Sequence, residues 1–242
     1  MSAPYDEDLA YIQAAGFGGM ASAVAPQIVA MLRSRGIAGG TIGDIGCGAG
    51  VTTRHFLDAG YDVWALEPSL SLLEIARGRA QQARFLPPAS VYESQLPQAD
   101  ALIAIGEPLN YHPPNRDAEA RLGGFFVQAA TALRPGGLLI FDVIVRGEPS
   151  LSARNWTAGD DWAVLAETIE DSTGGWLRRE IQTFRRIGNG YRRRYETHHV
   201  RIFDPDALSA ALLRAGFDVR SAITYGTYAL APRRVAFFCE RI

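Results

Sequence analysis

Residues 41–50 read TIGDIGCGAG, an apolar strand that reaches an acidic residue, Asp44, and then three closely spaced glycines, Gly46, Gly48 and Gly50. Such a segment sets bare backbone N–H groups against a ligand, because glycine has no Cβ to hold the ligand off. Spacing selects the ligand class. A dinucleotide fingerprint, G-x-G-x-x-G, beginning at Gly46 and Gly48 needs its third glycine at position 51, which is Val51. Here the third glycine stands at position 50, and the acid lies two places before the first. A glycine turn with a purely structural job is the plain alternative for this stretch alone.

An α/β pattern extends from the loop on both sides. Upstream, 6–14 and 21–35 read as helices separated by Gly16, Gly18 and Gly19, with Ile28, Val29 and Leu32 forming an apolar stripe on the second. Downstream, a helix over 51–59 stops at Gly60, a strand covers 62–66, and Pro68 and Ser69 open a helix to about residue 82. The continuous apolar run 101–105 suits a strand buried on both faces of a parallel sheet, and 138–145 reads as the next buried strand. A helix over 117–133 separates them. From 147 to 203 the pattern changes to three antiparallel strands, 162–171, 176–186 and 191–203, joined by turns rich in glycine. A helix over 205–215 and closing strands over 217–225 and 235–241 restore the first pattern. The expected fold is therefore α/β, a doubly wound, mostly parallel, seven-stranded sheet of Rossmann-like type with an antiparallel β insertion. Its parts are N-terminal helices over 1–40 that cap the site, a ligand-binding α/β domain over 41–146 and 204–242, and a lid over 147–203.

Composition narrows the function. The 242 residues are 48% hydrophobic and 21% charged, enough for a full core. A formal net charge of −2 gives no general pull towards nucleic acid. No apolar run approaches the roughly 18 residues of a membrane span. The start, MSAPYDEDLA, lacks the basic and apolar pattern of a signal peptide, and Cys47 and Cys239 suggest no disulfide framework. A reducing cytoplasm is the expected location.

Glu67 ends the second strand, where a carboxylate can accept both ribose hydroxyls of a nucleoside lying across the strand ends. Glu93, followed by Ser94, lies in the loop before the 101–105 strand. Gly106-Glu107-Pro108-Leu109-Asn110-Tyr111 follows that strand at its carboxyl end, where ligands of open α/β sheets bind. Leu133-Arg134-Pro135-Gly136-Gly137 precedes the next strand. In this order the segments resemble those of the class I S-adenosylmethionine-dependent methyltransferases, in their small-molecule branch. D-x-G-x-G-x-G resembles motif I, the 106–111 segment the acidic-x-Leu-Asn-Tyr stretch, and 133–137 the late, architectural Leu-x-Pro-Gly-Gly turn.

The resemblance implies S-adenosyl-L-methionine as cofactor, S-adenosyl-L-homocysteine as product, and no metal. It implies cofactor contacts at Asp44, Gly46, Cys47, Gly48, Glu67, Pro68, Glu93, Ser94, Gly106 and Glu107. Glu93 and Ser94 would receive the adenine amino group, and Gly106 and Glu107 would pass under the methionine part. Pro108 departs from the family, which often has a small hydroxyl residue there. Tyr11 and Phe17 are candidates to close over the cofactor. For proton removal from an acceptor the candidates are His198, His199, His112, Tyr111 and Tyr195, with His198 and Tyr111 favoured and Glu196 on the same strand face as His198. His55 is read as bland. The insert's arginines, Arg178, Arg179, Arg185, Arg186, Arg192, Arg193 and Arg194, read either as an anion-recognising rim or as a solvated sheet face.

The expected function is N- or O-methyl transfer to a small-molecule acceptor, without nucleic acid or membrane, and with a homodimer allowed. The alternatives are an NAD-dependent oxidoreductase, against which Val51 and the lack of a Tyr-x-x-x-Lys pair argue, and a non-catalytic module binding S-adenosylmethionine or S-adenosylhomocysteine.

Overall fold

Apolar strands alternating with amphipathic helices can bury both strand faces only between two helical layers. In the computed structural model, which describes residues 4–113 and 117–242, the chain takes that solution. Helices α1 (Glu7–Gly16) and α2 (Gly19–Ser34) lead into β1 (Thr41–Ile45), α3 (Val51–Asp58), β2 (Asp62–Leu66), α4 (Leu70–Arg79) and β3 (Arg84–Phe85). Then come β4 (Ala99–Ala104), α5 (Ala118–Ala132) and β5 (Leu133–Ile144). An excursion follows through β6 (Ala153–Ala158), β7 (Trp162–Glu170), β8 (Trp176–Ile187) and β9 (Gly190–Arg201). The chain closes with α6 (Pro205–Arg214), β10 (Phe217–Ala222), the short pair β11 (Thr224–Tyr225) and β12 (Tyr228–Ala229), and β13 (Arg234–Arg241).

The main sheet has seven strands in the order β10-β13-β5-β4-β1-β2-β3, all parallel except the antiparallel pairings of β13 with β5 and β10. Strand order reverses direction at β1 and β4, so the crevice at their carboxyl ends is the topological switch point. Each face carries its own core. Leu102, Leu139, Phe141 and Phe237 pack with Phe125 and Phe126 of α5 and Leu208 and Leu212 of α6. Ile42, Ile103 and Ile140, on the alternate positions, pack with Ile28 and Leu32 of α2 and Phe56 of α3.

Three of the later helices begin at a side-chain cap. Ser69 accepts from Leu72 N at the start of α4, Asp117 from Ala120 N at α5, and Asp204 from Asp206 N and Ala207 N at α6, where Pro205 fixes the first turn. No single helix among the described residues is long and apolar enough to cross a membrane.

The excursion forms a separate four-stranded antiparallel sheet, β6-β7-β8-β9. Single bridges, Tyr111 to Val200 and Val145 to Phe203, join it to the main body. Several elements differ from the sequence expectation. Strand β6 has almost no buried side chain, so it lacks the alternation that reveals a strand. The expected strand over 217–225 ends at Ala222 and gives way to the β11–β12 pair. The expected helix to residue 82 stops at Arg79.

Phe141 stacks on Phe237 with ring centroids 5.1 Å apart and is fully buried. Phe141→Ala should therefore cost about 3–5 kcal/mol, the usual range for a buried phenylalanine. A denaturant midpoint that falls accordingly with an unchanged slope is the expected result. A loss below about 1 kcal/mol would show that the core refills the site.

Candidate functional site

Asp44 and Glu67 stand at the ends of β1 and β2, one strand apart and both buried. Asp44 does not face outward. Its Oδ2 accepts from Thr52 Oγ1 at 2.7 Å and Thr53 Oγ1 at 2.6 Å, which fixes the first turn of α3 beneath the loop. Burial pushes its pKa up to about 6, against the pull of the Thr53 and Thr52 hydroxyls. Glu67 Oε2 accepts from Gly48 N at 3.0 Å, and Oε1 from Ser69 N at 2.9 Å. Burial pushes Glu67 up to about 7, although both N–H groups favour the charged form. Each Glu67 oxygen keeps lone-pair capacity for another donor. The loop N–H groups of Gly46 and Cys47 are already taken by Leu66 O, at 2.7 and 3.1 Å.

Two glycines are needed here for different reasons. Gly46, with φ +68°, would drive a Cβ to within 2.4 Å of Pro108 Cβ, so the proline that departs from the family pattern packs on the loop. Gly48 has φ +55°, and a Cβ there would meet nothing within 4 Å. The open side of the loop is thus at Gly48, beside the Glu67 carboxylate. Cys47 is buried in the same loop and Pro68 half-buried after Glu67.

The third strand end is held differently. Gly106 N donates to Asp142 Oδ1 at 2.8 Å, and Glu107 follows with φ +65°. Glu107 is buried, yet Arg179 of β8 and Arg234 of β13 both bind it, Arg234 Nη2 at 2.6 Å from Oε2. Burial pushes this carboxyl up, but the two guanidinium groups outweigh it and hold the pKa below the ordinary value. Asn110 is fully buried and bonds Ile144 N, Ile144 O and Arg201 O, stitching the turn to β5 and β9. Its work is architectural.

The lid turns one face to this turn. Cross-strand register places Arg179 opposite His198, both on that face, whereas Tyr195 pairs with Gln182 on the other. His198 is buried, and its Nε2 lies 2.9 Å from Glu196 Oε2. The His198 ring packs against Tyr5 and Tyr111, with centroids 5.1 and 5.7 Å away. Tyr5 OH and Tyr111 OH are 3.1 Å apart, and Tyr5 O accepts from Ser69 Oγ at 2.6 Å. Burial, first of all, raises the pKa of both phenols. The N-terminal segment therefore bridges the Glu67 side of the crevice and the His198 side.

The remaining candidates are engaged by other partners. Glu93 is exposed and pairs with Arg121 at 3.2 Å, while Ser94 Oγ donates to Ser90 O. Tyr11 OH donates to Asp161 Oδ2 at 2.8 Å under the Arg185 guanidinium, and Phe17 packs near Trp162. His112 bonds Leu109 O at 3.1 Å, packs at a tilt against Tyr92, and is held by burial at a pKa of about 4. His199 and Tyr195 point away from the crevice. Arg185, Arg192 and Arg194 face α1 and converge on Asp8, Arg192 with both a 2.7 Å and a 2.5 Å bond. Neither an anion rim nor a solvated face describes these three: they fasten the lid to the N-terminal helix.

Sequence reasoning missed Tyr5, Asp142 and Arg234 and left Arg179 within a group. Asp142 carried a signal, since a lone acid inside the apolar run 138–145 must be satisfied internally. Tyr5 carried none, because its position depends on tertiary contacts.

A carboxyl that is more basic folded than unfolded binds more protons in the folded state between its two pKa values. Stability contributed by Glu67 is thus present below its ordinary value of 4.5 and is lost as pH rises to about 7. Glu67→Gln removes that dependence. The melting temperature of the variant, relative to wild type, should climb across this window and level off above it. A difference that stays flat with pH would show that Glu67 ionises as freely as an exposed glutamate.

Residues 20–222 match the family model described as a methyltransferase domain. A stretch of 113 residues, 46% of this chain, is 31% identical to the ubiquinone biosynthesis O-methyltransferase of Methylobacterium sp. (strain 4-46). The chain spans under half, 43%, of that curated relative's length. Among solved structures, the sugar N-methyltransferase KedS8 from Streptoalloteichus superposes with a TM-score of 0.79 at 19% identity, covering 100% of this chain and 96% of that one. The SAM-bound amino pentose methyltransferase CalS10 from Micromonospora echinaspora gives 0.76 at 17% identity, covering 100% and 99%. With the family model matching most of its length, the chain belongs to the methyltransferase domain family.

Proposed function

We propose that the protein transfers a methyl group from S-adenosyl-L-methionine to a small molecule, at nitrogen or oxygen, and releases S-adenosyl-L-homocysteine. The observation that carries this reading is the junction of Gly48 N with Glu67 Oε2 beside the open side of the glycine loop. The cofactor fits these residues. Glu67 has acceptor capacity for two ribose hydroxyls, and the space at Gly48 is free of protein atoms. In this assignment Gly46, Cys47 and Gly48 line the nucleoside with backbone, Asp44 holds the loop, and Pro68 flanks the ribose. Glu93 and Ser94 lie on the adenine side, Gly106 and Glu107 run beneath the methionine part, and Tyr11 belongs to the N-terminal wall.

When bound, the cofactor supplies an electrophilic methyl group on a sulfonium. The protein's share is to orient the acceptor and to exclude water. Residues 147–203 act as the lid that does this, 1–40 cap the site, and 41–146 with 204–242 carry the cofactor. His198 and Tyr111 sit on the acceptor side. The names of the sugar N-methyltransferase KedS8 and of the amino pentose methyltransferase CalS10 support a small, amine- or hydroxyl-bearing acceptor. Free, buried Cys47 and Cys239 support a cytoplasmic location.

Calorimetry and thermal melting test the cofactor. S-adenosylhomocysteine at about 100 times its dissociation constant should stabilise the fold by roughly 2.7 kcal/mol, while NAD and NADP should not. Glu67→Ala should lose charged hydrogen bonds of about 1.5–3 kcal/mol, or roughly 10- to 150-fold in affinity. Absence of binding by either sulfur nucleoside would end the methyltransferase reading, and unchanged affinity in Glu67→Ala would move the ribose elsewhere.

A further inference from the structure

Glu196 has more partners than a lid residue needs. Its Oε2 accepts from Tyr5 N at 2.9 Å, its Oε1 accepts from Asp6 N at 3.0 Å, and Oε2 also lies 2.9 Å from His198 Nε2. The two backbone donors leave the carboxylate one orientation, and that orientation points an acceptor oxygen at the imidazole. A lone pair on Nε2 would face the oxygen lone pairs, so Nε2 carries the proton. In the neutral ring Nδ1 is then an unprotonated acceptor. His198 is 3% exposed, and among the described residues its Nδ1 is buried without a hydrogen-bond partner. A buried polar atom left unpaired is costly, and a ligand group that bonds it recovers that cost. The rings of Tyr5 and Tyr111 flank the imidazole, so a ligand group that reached it would meet aromatic faces.

We propose that Glu196 is the positioning residue of the acceptor site: it holds His198 as the Nε2–H tautomer and so presents Nδ1 as the proton acceptor for a hydroxyl or ammonium group of the substrate. The inference rests on the methyltransferase reading and adds the acceptor-side chemistry to it. The acceptor's proton ends on Nδ1, the ring becomes imidazolium, and Nε2–H stays on Glu196, whose negative charge offsets the new positive one. Because Tyr5 N and Asp6 N orient Glu196, the arrangement is complete only when the N-terminal segment is seated on the lid. Nothing in this requires His199, which faces the other way.

Nitrogen-15 NMR of the histidine side chains tests the tautomer without any acceptor. The chain has four histidines, and loss of one signal set in His198→Gln identifies the ring. In the neutral ring, reached at the alkaline end of a pH titration followed on the same signals, His198 should show a protonated Nε2 and an unprotonated Nδ1. Its Nε2 proton should exchange with solvent more slowly than that of half-buried His199. In Glu196→Ala this protection should fall by about tenfold or more, the factor by which a charge-assisted hydrogen bond shifts an equilibrium. Cleavage of the N-terminal segment by chymotrypsin should accelerate in the same variant. A protonated Nδ1 in the wild type, or Glu196→Ala with unchanged protection, overturns the proposal. If Glu196→Ala does not fold, the wild-type ring still decides, because a Nε2 proton exchanging as fast as that of His199 has no carboxylate partner. Calorimetry with S-adenosylhomocysteine, run on the same wild-type protein, separates the two readings. No binding there removes the methyltransferase reading, whereas binding with the wrong tautomer removes Glu196 alone.

Discussion

A carboxylate withdrawn from water at the end of a buried strand is costly by several kcal/mol unless charged donors replace the water. Glu107 meets that requirement with one arginine on each oxygen, and the two arginines come from different parts of the chain. Arg234 opens β13, the antiparallel strand inserted next to β5, and Arg179 lies on β8 of the lid. One side chain at the end of β4 thereby ties the parallel sheet, its antiparallel edge and the lid to a single point. Asp142 shares Arg234 at 3.5 Å and receives Gly106 N and Tyr225 OH, so the turn bearing Glu107 is itself anchored. Without Arg179 of β8, the Glu107 charge would be only half-compensated.

The three strand-end acids are held in two ways, and the difference matters for binding. Glu107 has guanidinium partners and an acidic pKa, and both of its oxygens are committed. Asp44 and Glu67 have only hydroxyl and N–H donors, and burial raises both. Asp44 spends its bonds inside the protein, on Thr52 and Thr53. Glu67 has one N–H on each oxygen and room for more. Additional hydroxyl donors would favour its charged form, so ligand and carboxylate stabilise each other there. A site of this sort is built to be completed from outside, whereas Glu107 is already complete.

The sheet and its loop were legible in the sequence because they depend on local chemistry. Residues 41–50 carry strand, acid and glycines in one run, and the apolar runs of β4 and β5 have no way to be buried except in a two-sided sheet. Strand β6 was not legible, since its side chains are nearly all exposed and only backbone pairing with β7 makes it a strand. Parity along β9 correctly put His198 and Glu196 on one face and His199 on the other. It could not reveal Tyr5, which lies 191 residues from Glu196 in sequence and reaches it through the backbone. Nor could it separate Arg179 from its neighbours, because that distinction depends on which lid position lies over Glu107.

The arginines of the lid show how a composition signal changes meaning once partners are known. The insert holds nine arginines, and the seven between positions 178 and 194 suggest anion recognition, yet three of these converge on Asp8 and one on Glu107. Burial of Asp8 is offset by those guanidinium groups, with the Arg192 hydrogen bond foremost in keeping its carboxyl acidic. A phosphate or carboxylate on the acceptor would have to displace Asp8, or open the Glu107 pair, before it could use these four. Breaking either contact removes an ion pair that joins the antiparallel sheet to the N-terminal helix or to the main sheet. Glu67 keeps lone-pair capacity on one side of the crevice, and on the other, among the described residues, the His198 Nδ1 has no partner beside two phenols that bond each other. The chain has thus used its strongest charges to join the antiparallel sheet to the N-terminal helix and to the main sheet.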